Sequence, residues 1–276
     1  MPHITNTTLG GHLHLECSTR ADGTPYISQQ DFCVPIHIGK GHVDQGAMVL
    51  NLVNPTAGFF DGDRVDLDIT VREGARLCLS TPAASRVYSS RSGKAAANHQ
   101  RFAVRENGVL EWNPEPFIPH AGASYHQSTA IHLHPSASLL FFEWISPGRV
   151  AMGEMFAYQK LRWEMDVYSG ELLAARERYD LDPSNHSLES LRLRYPAAHY
   201  LSIFVAGKFV TQWPSEELNA LHGGDVHLGH GALEGGVYVI RALCSHSIVT
   251  RRLFGAIRNI LYANSGMKPP SLGRTP

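Results

Sequence analysis

Neither sign of charge is in excess, cysteines are few, and no long apolar run is present. Lys plus Arg number 24 and Asp plus Glu 25 in 276 residues, a net charge of −1. No overall positive field therefore draws the chain to nucleic acid or to an anionic membrane. The longest apolar run, Ser138 to Ile145, is far short of the roughly 20 residues of a membrane-spanning helix. The N-terminus lacks the basic, apolar and small-residue order of a secretory signal, which predicts a soluble, cytoplasmic protein. Cys17, Cys33, Cys78 and Cys244 include no C-x-x-C pair; reduced thiols are expected in place of a disulfide framework or a zinc knuckle. Catalytic signatures are missing as well: there is no G-x-S-x-G elbow, no phosphate loop and no G-x-G-x-x-G. The chain is not expected to be an enzyme.

What is present is a strand pattern in a chain 43% hydrophobic and 18% charged, a composition that excludes disorder. Over Arg64 to Val71, Val65, Leu67, Ile69 and Val71 alternate with Arg64, Asp66, Asp68 and Thr70, so one set faces a core and the other water. Glu73-Gly74 marks a turn, Ala75 to Thr81 a second strand, and Pro82 its end. The unit recurs as Gln100 to Arg105, turn, Val109 to Trp112, and again as Thr129 to His134, turn, Ala137 to Trp144. Turns about 28 to 34 residues apart fit β units that stack on their neighbours. The fold class expected is mainly β, with stacked, helically wound, β-helix-like sheets and a few helices, mainly C-terminal; a β-sandwich is the competing architecture.

Arg162 to Val167 and Leu172 to Tyr179 predict a hairpin, and Tyr200 to Val205 and Val237 to Leu243 further strands. A helix is expected from Ser247 as N-cap through the apolar stripe Ile248, Val249, Leu253, Phe254, Ile257, Ile260 and Leu261, stopping at Asn264-Ser265-Gly266. A shorter helix follows Pro214 and leads into a glycine-rich loop, Gly223 to Gly236. No linker divides the chain, so residues 1–276 are expected to form one domain, strand-rich over 1–210 and helix-containing over 211–276.

Sixteen histidines raise the question of metal. His12 with His14, and His132 with His134, are alternate strand residues that point the same way, and Glu16 follows the first pair; a cupin-like, histidine-dependent β-barrel metalloenzyme is the alternative this raises. The favoured reading sets both pairs towards solvent, because Leu13 and Leu133 between them aim at the core. His222, His227 and His230 form a closer local cluster in the glycine-rich loop, with Asp225 nearby. Asn54-Pro55-Thr56-Ala57-Gly58-Phe59-Phe60-Asp61-Gly62-Asp63 reads as a rigid turn whose aspartates bond their own loop, or as acidic residues lining a polar path.

At this segment the chain resembles the urease accessory protein UreD (UreH) family, whose pattern is Asn-Pro-Thr/Pro-Gly-Gly-x-x-Gly-Gly-Asp; Ala57 and Asp61 stand in place of two glycines. Ser80 to Tyr88 is similar to the family's Thr-Thr-x-Ala-Ala-Thr-Lys-Val-Tyr, Leu110 to Glu115 to its Leu-Glu-Trp-Leu-Pro-Gln, and Gly148-Arg149-Val150-Ala151-Met152-Gly153-Glu154 to its Gly-Arg-x-Ala-x-Gly-Glu. The residues after Pro114 depart from the usual Gln-Glu-Thr, and Lys268-Pro269-Pro270 matches a proline-containing end. The resemblance implies a non-catalytic scaffold that docks on apo-urease with the helical accessory protein UreF and the GTPase UreG, which deliver nickel. No tightly bound cofactor is implied, only transient Ni2+. A conduit for such an ion should bind it weakly, and Asp61, Asp63, Glu111 and Glu143 are the candidate liners of a polar passage. The bland alternative is turn capping by the aspartates and solvent exposure of the glutamates. The apolar helix Ile248 to Leu261 is a candidate docking element, with packing on a sheet as its competing role.

Overall fold

A computed structural model describes residues 9–54, 58–185, 188–195 and 197–272. The chain opens with an antiparallel pair, β1 (Gly10–Thr19) and β2 (Pro25–Cys33), in a first sheet. β3 (His37–Ile38) and β4 (His42–Asp44) flank β5 (Ala47–Val53) in a second. From there the chain winds between the two. β6 (Arg64–Val71) lies in the first sheet and β7 (Arg76–Ser80) in the second; after the short β8 (Ser85–Val87), β9 (Ala96–Val104) and β10 (Val109–Asn113) repeat the step. A third coil follows β11 (Phe117–Pro119) as β12 (Ser124–Leu133) and β13 (Ser138–Ile145). The small hairpin β14 (Gly148–Arg149) and β15 (Glu154–Met155) leads to β16 (Lys160–Ser169) and β17 (Leu172–Leu181). α1 (Glu189–Arg194), β18 (His199–Ala206), α2 (Ser215–Asn219), β19 (Val226–Ala232), β20 (Val237–Cys244) and α3 (Ser247–Ser265) complete the chain.

The first sheet has seven strands in the order β17-β16-β12-β9-β6-β1-β2, and the second has eleven, along β19-β20-β18-β13-β10-β7-β5-β3. Their centres are parallel: β1, β6, β9, β12 and β16 in one, and β5, β7, β10 and β13 in the other. This is the β-solenoid-like winding expected from the repeat. Turn stacks on turn, with the Gly74 N–H donating to the Glu106 carbonyl at 2.9 Å and the Ser138 N–H to the Gly108 carbonyl at 2.8 Å. The hairpin of β16 and β17 and the strands at β18 and β20 also form where the pattern predicts them.

The two sheets bury side chains in different ways. β6 alternates, with Val65, Leu67, Ile69 and Val71 inward. β13 is buried at all eight positions: Leu139 and Phe141 enter the core between the sheets, while Leu140 and Phe142 face the opposite side, beneath α3. Phe142 stacks on Phe254 of the helix with ring centroids 4.1 Å apart. The second sheet is thus a middle layer, which is why its strands read as a continuous apolar run.

Leu253, Phe254, Ile257 and Leu261 of α3 are buried against this layer, and Ile248 alone of the stripe's large residues is markedly exposed. The helix therefore spends its apolar face on its own fold, which overturns its candidacy as a docking element. Its N-cap is His246, in extended backbone conformation, not Ser247. Thr250 explains the shift: its N–H and hydroxyl both donate to the His246 carbonyl, at 2.9 and 2.8 Å. Gly266 ends the helix in the left-handed conformation, as the sequence predicts. The glycine-rich stretch departs from expectation, since it holds the edge strand β19. An edge strand pairs on one side only, so Gly229 and Gly231 supply backbone to β20 without needing side-chain contacts.

Candidate functional site

Parallel register puts inward-facing residues of successive coils in rows. Val65, Asn98, Gln127 and Trp163 form one row, and Leu67, Gln100, Thr129 and Met165 the next. Four of these eight positions are polar and buried, and a buried amide left unbonded costs roughly 1–3 kcal/mol. They answer one another. Thr129 Oγ1 donates to Gln100 Oε1 at 3.3 Å, Gln127 Nε2 approaches Thr129 Oγ1 at 3.4 Å, and the Tyr125 hydroxyl donates to Gln127 Oε1 at 3.1 Å.

From the facing sheet, β13 sends Glu143 into this row. Its Oε1 accepts from Trp163 Nε1 at 2.8 Å and from Gln127 Nε2 at 3.3 Å. Glu143 Oε2 and Asn98 Oδ1 are buried without a hydrogen-bond partner. Both residues line a cavity of about 340 Å³ between the sheets, walled also by Trp112, Phe117, Tyr125 and Trp163. Burial pushes the Glu143 carboxyl up to about 8, with the Trp163 bond opposing and the Glu177 charge adding to the rise. Burial thus favours the protonated form of this carboxyl.

Three of the four motif segments meet at this cavity. Asn54 and Gly58 line it, as do the residues from Thr81 to Arg86, and Trp112, Pro114 and Glu115. Gly58 is required by its backbone (φ +152°) and because a Cβ there would overlap the Arg86 carbonyl oxygen. Pro55 and Thr56 lie outside the described residues. Gly148-Arg149 to Gly153-Glu154 forms the separate β14–β15 hairpin, clamped by the Arg149–Glu154 ion pair, with Glu154 Oε2 also accepting the Ala121 N–H at 3.1 Å. Gly153 closes its turn in the left-handed conformation.

The four carboxylates proposed as one path are not assembled into one. Asp61, half-buried, accepts from the Ser90 hydroxyl at 2.5 Å and from the Arg91 and Ser92 N–H groups at 3.0 and 2.6 Å; the Ser90 bond leads in holding its carboxyl below the usual range. Asp63 is buried and accepts from the Phe60 and Leu9 N–H groups at 2.8 and 3.0 Å, while Gly62 before it turns at φ +75°. Both aspartates bond to backbone. Glu111 is buried on β10, facing α3, where Arg258, Tyr262 and Asn113 surround it. Burial raises its carboxyl, but those bonds, Arg258 first, outweigh that and leave it below the ordinary value. Neither glutamate is solvent-exposed, contrary to the bland alternative, and of the four only Glu143 lines the cavity.

The histidines do not converge either. His12 and His132 are exposed, with His132 stacked on Tyr168 at 4.8 Å; His14 is half-buried and His134 exposed, bonded to Ser136. His230 accepts from Trp213 Nε1 at 3.1 Å, and His222 Nδ1 takes the edge N–H of Leu228 at 3.1 Å. Among the described residues no three His, Cys, Asp or Glu side chains are grouped to hold a metal ion. Two open sheets replace the closed barrel that a cupin-like enzyme needs. What sequence reasoning missed is the amide row. Its signal was there: polar residues at core-facing positions of consecutive strands, Gln100 and Thr129 being 29 residues apart.

A solenoid-like protein of two wound β-sheets, with a largely apolar cavity between them into which Asn98, Gln100, Gln127 and Glu143 are set, is the class that this geometry defines. The UreD urease accessory protein family model matches residues 10–275, and the chain belongs to that family. A urease accessory protein UreD of Opitutus terrae is 34% identical over 255 residues, 91% of this chain and 93% of the relative. One from Herpetosiphon aurantiacus is 28% identical, covering 91% and 87%. One from Halalkalibacterium halodurans is 32% identical, covering 74% and 78%. No helix among the described residues is long and apolar enough to cross a membrane.

Proposed function

We propose that this urease accessory protein acts in the cytoplasm as a non-catalytic scaffold that docks on apo-urease and holds it to UreF and the GTPase UreG while nickel is inserted. The observation that carries the reading is the UreD family match over residues 10–275. The internal cavity supports the finer step, in which nickel(II) is the cargo.

Two carboxyls line the cavity, and Glu115 is already paired with Arg251, so the ion meets Glu143 as the acid without a cation of its own among the described residues. Glu143, protonated at rest, releases its proton as the divalent ion arrives, and its carboxylate offsets part of the cost of placing a double charge in a protein interior. Asn98 Oδ1 and Gln127 add neutral oxygens. One carboxylate not engaged by a cation, among amides, makes a weak site, which lets the ion leave again. Asp61, Asp63 and Glu111 serve the frame by holding the loops and the helix that shape it.

The test is complementation of cells lacking the native accessory protein, reading the nickel content and activity of purified urease. The wild-type chain restores both and pulls down urease subunits with UreF and UreG. Glu143→Gln keeps the pull-down and lowers nickel loading. Full loading without the chain overturns the scaffold; full loading with Glu143→Gln overturns the passage.

A further inference from the structure

We propose that Cys33 is an activated thiol, set by His12 and Asp31 for exchange with a low-molecular-weight disulfide. The inference stands independently of nickel delivery. Its basis is a side-chain relay on the outer face of the first sheet. His12 on β1 pairs directly with Cys33 on β2, and Asp31 lies two residues before Cys33, on the same face of its strand. Cys33 Sγ is 3.2 Å from His12 Nδ1, and His12 Nε2 is 3.0 Å from Asp31 Oδ2. The carboxylate takes the Nε2–H, which fixes the tautomer that leaves the Nδ1 lone pair towards the sulfur.

Access separates this thiol from the rest. Cys17, Cys78 and Cys244 are buried, and burial pushes all three thiols up, away from the reactive thiolate. Cys33 is half-exposed at the open edge of the sheet, and Val34 beside it is 61% exposed, offering an apolar rest for the body of an incoming reagent. The His12 and Asp31 side chains are 48% and 72% exposed, so the relay opens to solvent. From the neighbouring β6, Asp66 stands next to His12 in the register and is itself held by Arg64.

The step balances without any further reagent. Cys33 sulfur attacks one sulfur of the incoming disulfide, its proton passes to His12 Nδ1, and the old S–S bond breaks as the new one forms. The departing thiolate then takes the proton from the imidazolium. The product is a mixed disulfide on Cys33, one released thiol and the starting form of His12.

The experiment uses the full chain with oxidised glutathione as probe, following the adduct by intact mass and peptide mapping. At pH 7, wild-type Cys33 gains glutathione at least about tenfold faster than in His12→Gln, a floor set below the general-base range of roughly 10²–10⁴. Asp31→Asn, which loosens the ring, gives an intermediate rate, and Cys33→Ser gives no adduct. The wild-type rate follows a pH profile different from that of free N-acetylcysteine. A His12→Gln rate within about twofold of wild type overturns the proposal, as does a wild-type pH profile that runs parallel to that of free N-acetylcysteine. The profile needs no variant and decides the matter if His12→Gln fails to fold.

Discussion

Arg258, near the end of the chain, reaches Glu111 on β10 with two bonds, 2.5 Å from Nε to Oε1 and 3.0 Å from its terminal nitrogen to Oε2. Glu111 is 1% exposed, and Tyr262 donates a third bond at 2.6 Å. The pair fastens α3 to the middle sheet. Removing one member leaves a charge buried without its counter-ion, a loss of about 3–5 kcal/mol. Glu111→Ala or Arg258→Ala is therefore expected to lower the urea midpoint sharply. Replacing both by apolar residues of similar volume is expected to recover most of the stability.

Glu143 gives a stability signature of the opposite sign to an ordinary carboxylate. Its folded form keeps the proton up to about pH 8, while an unfolded glutamate releases it near 4.3. Stability from this group is full below the unfolded value and falls as pH rises towards 8, at roughly 1.4 kcal/mol per pH unit. Glu143→Gln mimics the protonated acid. It should match wild type near pH 4 and become progressively the more stable of the two towards pH 8, by urea titration at each pH.

His199 sets the acid side. It is buried, accepts from Trp144 Nε1 at 3.2 Å, and burial, with His246 nearby, lowers its ring to about 4. The neutral ring belongs to the fold, so stability is present above about pH 6.5 and is lost as pH falls towards 4, at roughly 1.4 kcal/mol per pH unit. His199→Gln keeps an acceptor for Trp144 and cannot protonate. Its thermal midpoint should decline less than that of wild type between pH 6.5 and 4.5, and an identical decline contradicts the assignment.

The β14–β15 hairpin separates two glycines of one motif. A Cβ on Gly148, at φ +140°, would overlap the Glu154 carbonyl oxygen, whereas Gly153, at φ +73°, faces open space. Gly148→Ala is expected to cost more than about 2 kcal/mol through backbone displacement. Gly153→Asn, which tolerates the left-handed conformation, is expected to cost about 1 kcal/mol or less. Chemical denaturation of the two variants side by side checks the contrast.

The fold was largely legible because period two holds wherever one face of a strand meets solvent. Val65 to Val71 and the β16–β17 hairpin obey it, and the α3 stripe was legible through the helical period of about 3.6. The site was less legible for a specific reason. Glu111 and Glu143 lie on strands covered on both faces, where alternation does not separate buried from exposed. A glutamate within the continuous apolar run Ser138–Ile145 was itself the sign of a buried acid. Their partners were out of reach of any local pattern: Arg258 stands 147 residues from Glu111, and Trp163 stands 20 from Glu143. The glycine-rich stretch misled because an exposed edge strand needs hydrogen bonds and little side-chain burial, and glycine supplies the first alone.

The counter-charge for Glu111 arrives with the final helix, long after the coil that holds the acid has left the ribosome. A chain halted before residue 247 leaves Glu111 without Arg258 and Tyr262, and Phe142 without Phe254, so the middle layer is complete only once the last helix is present.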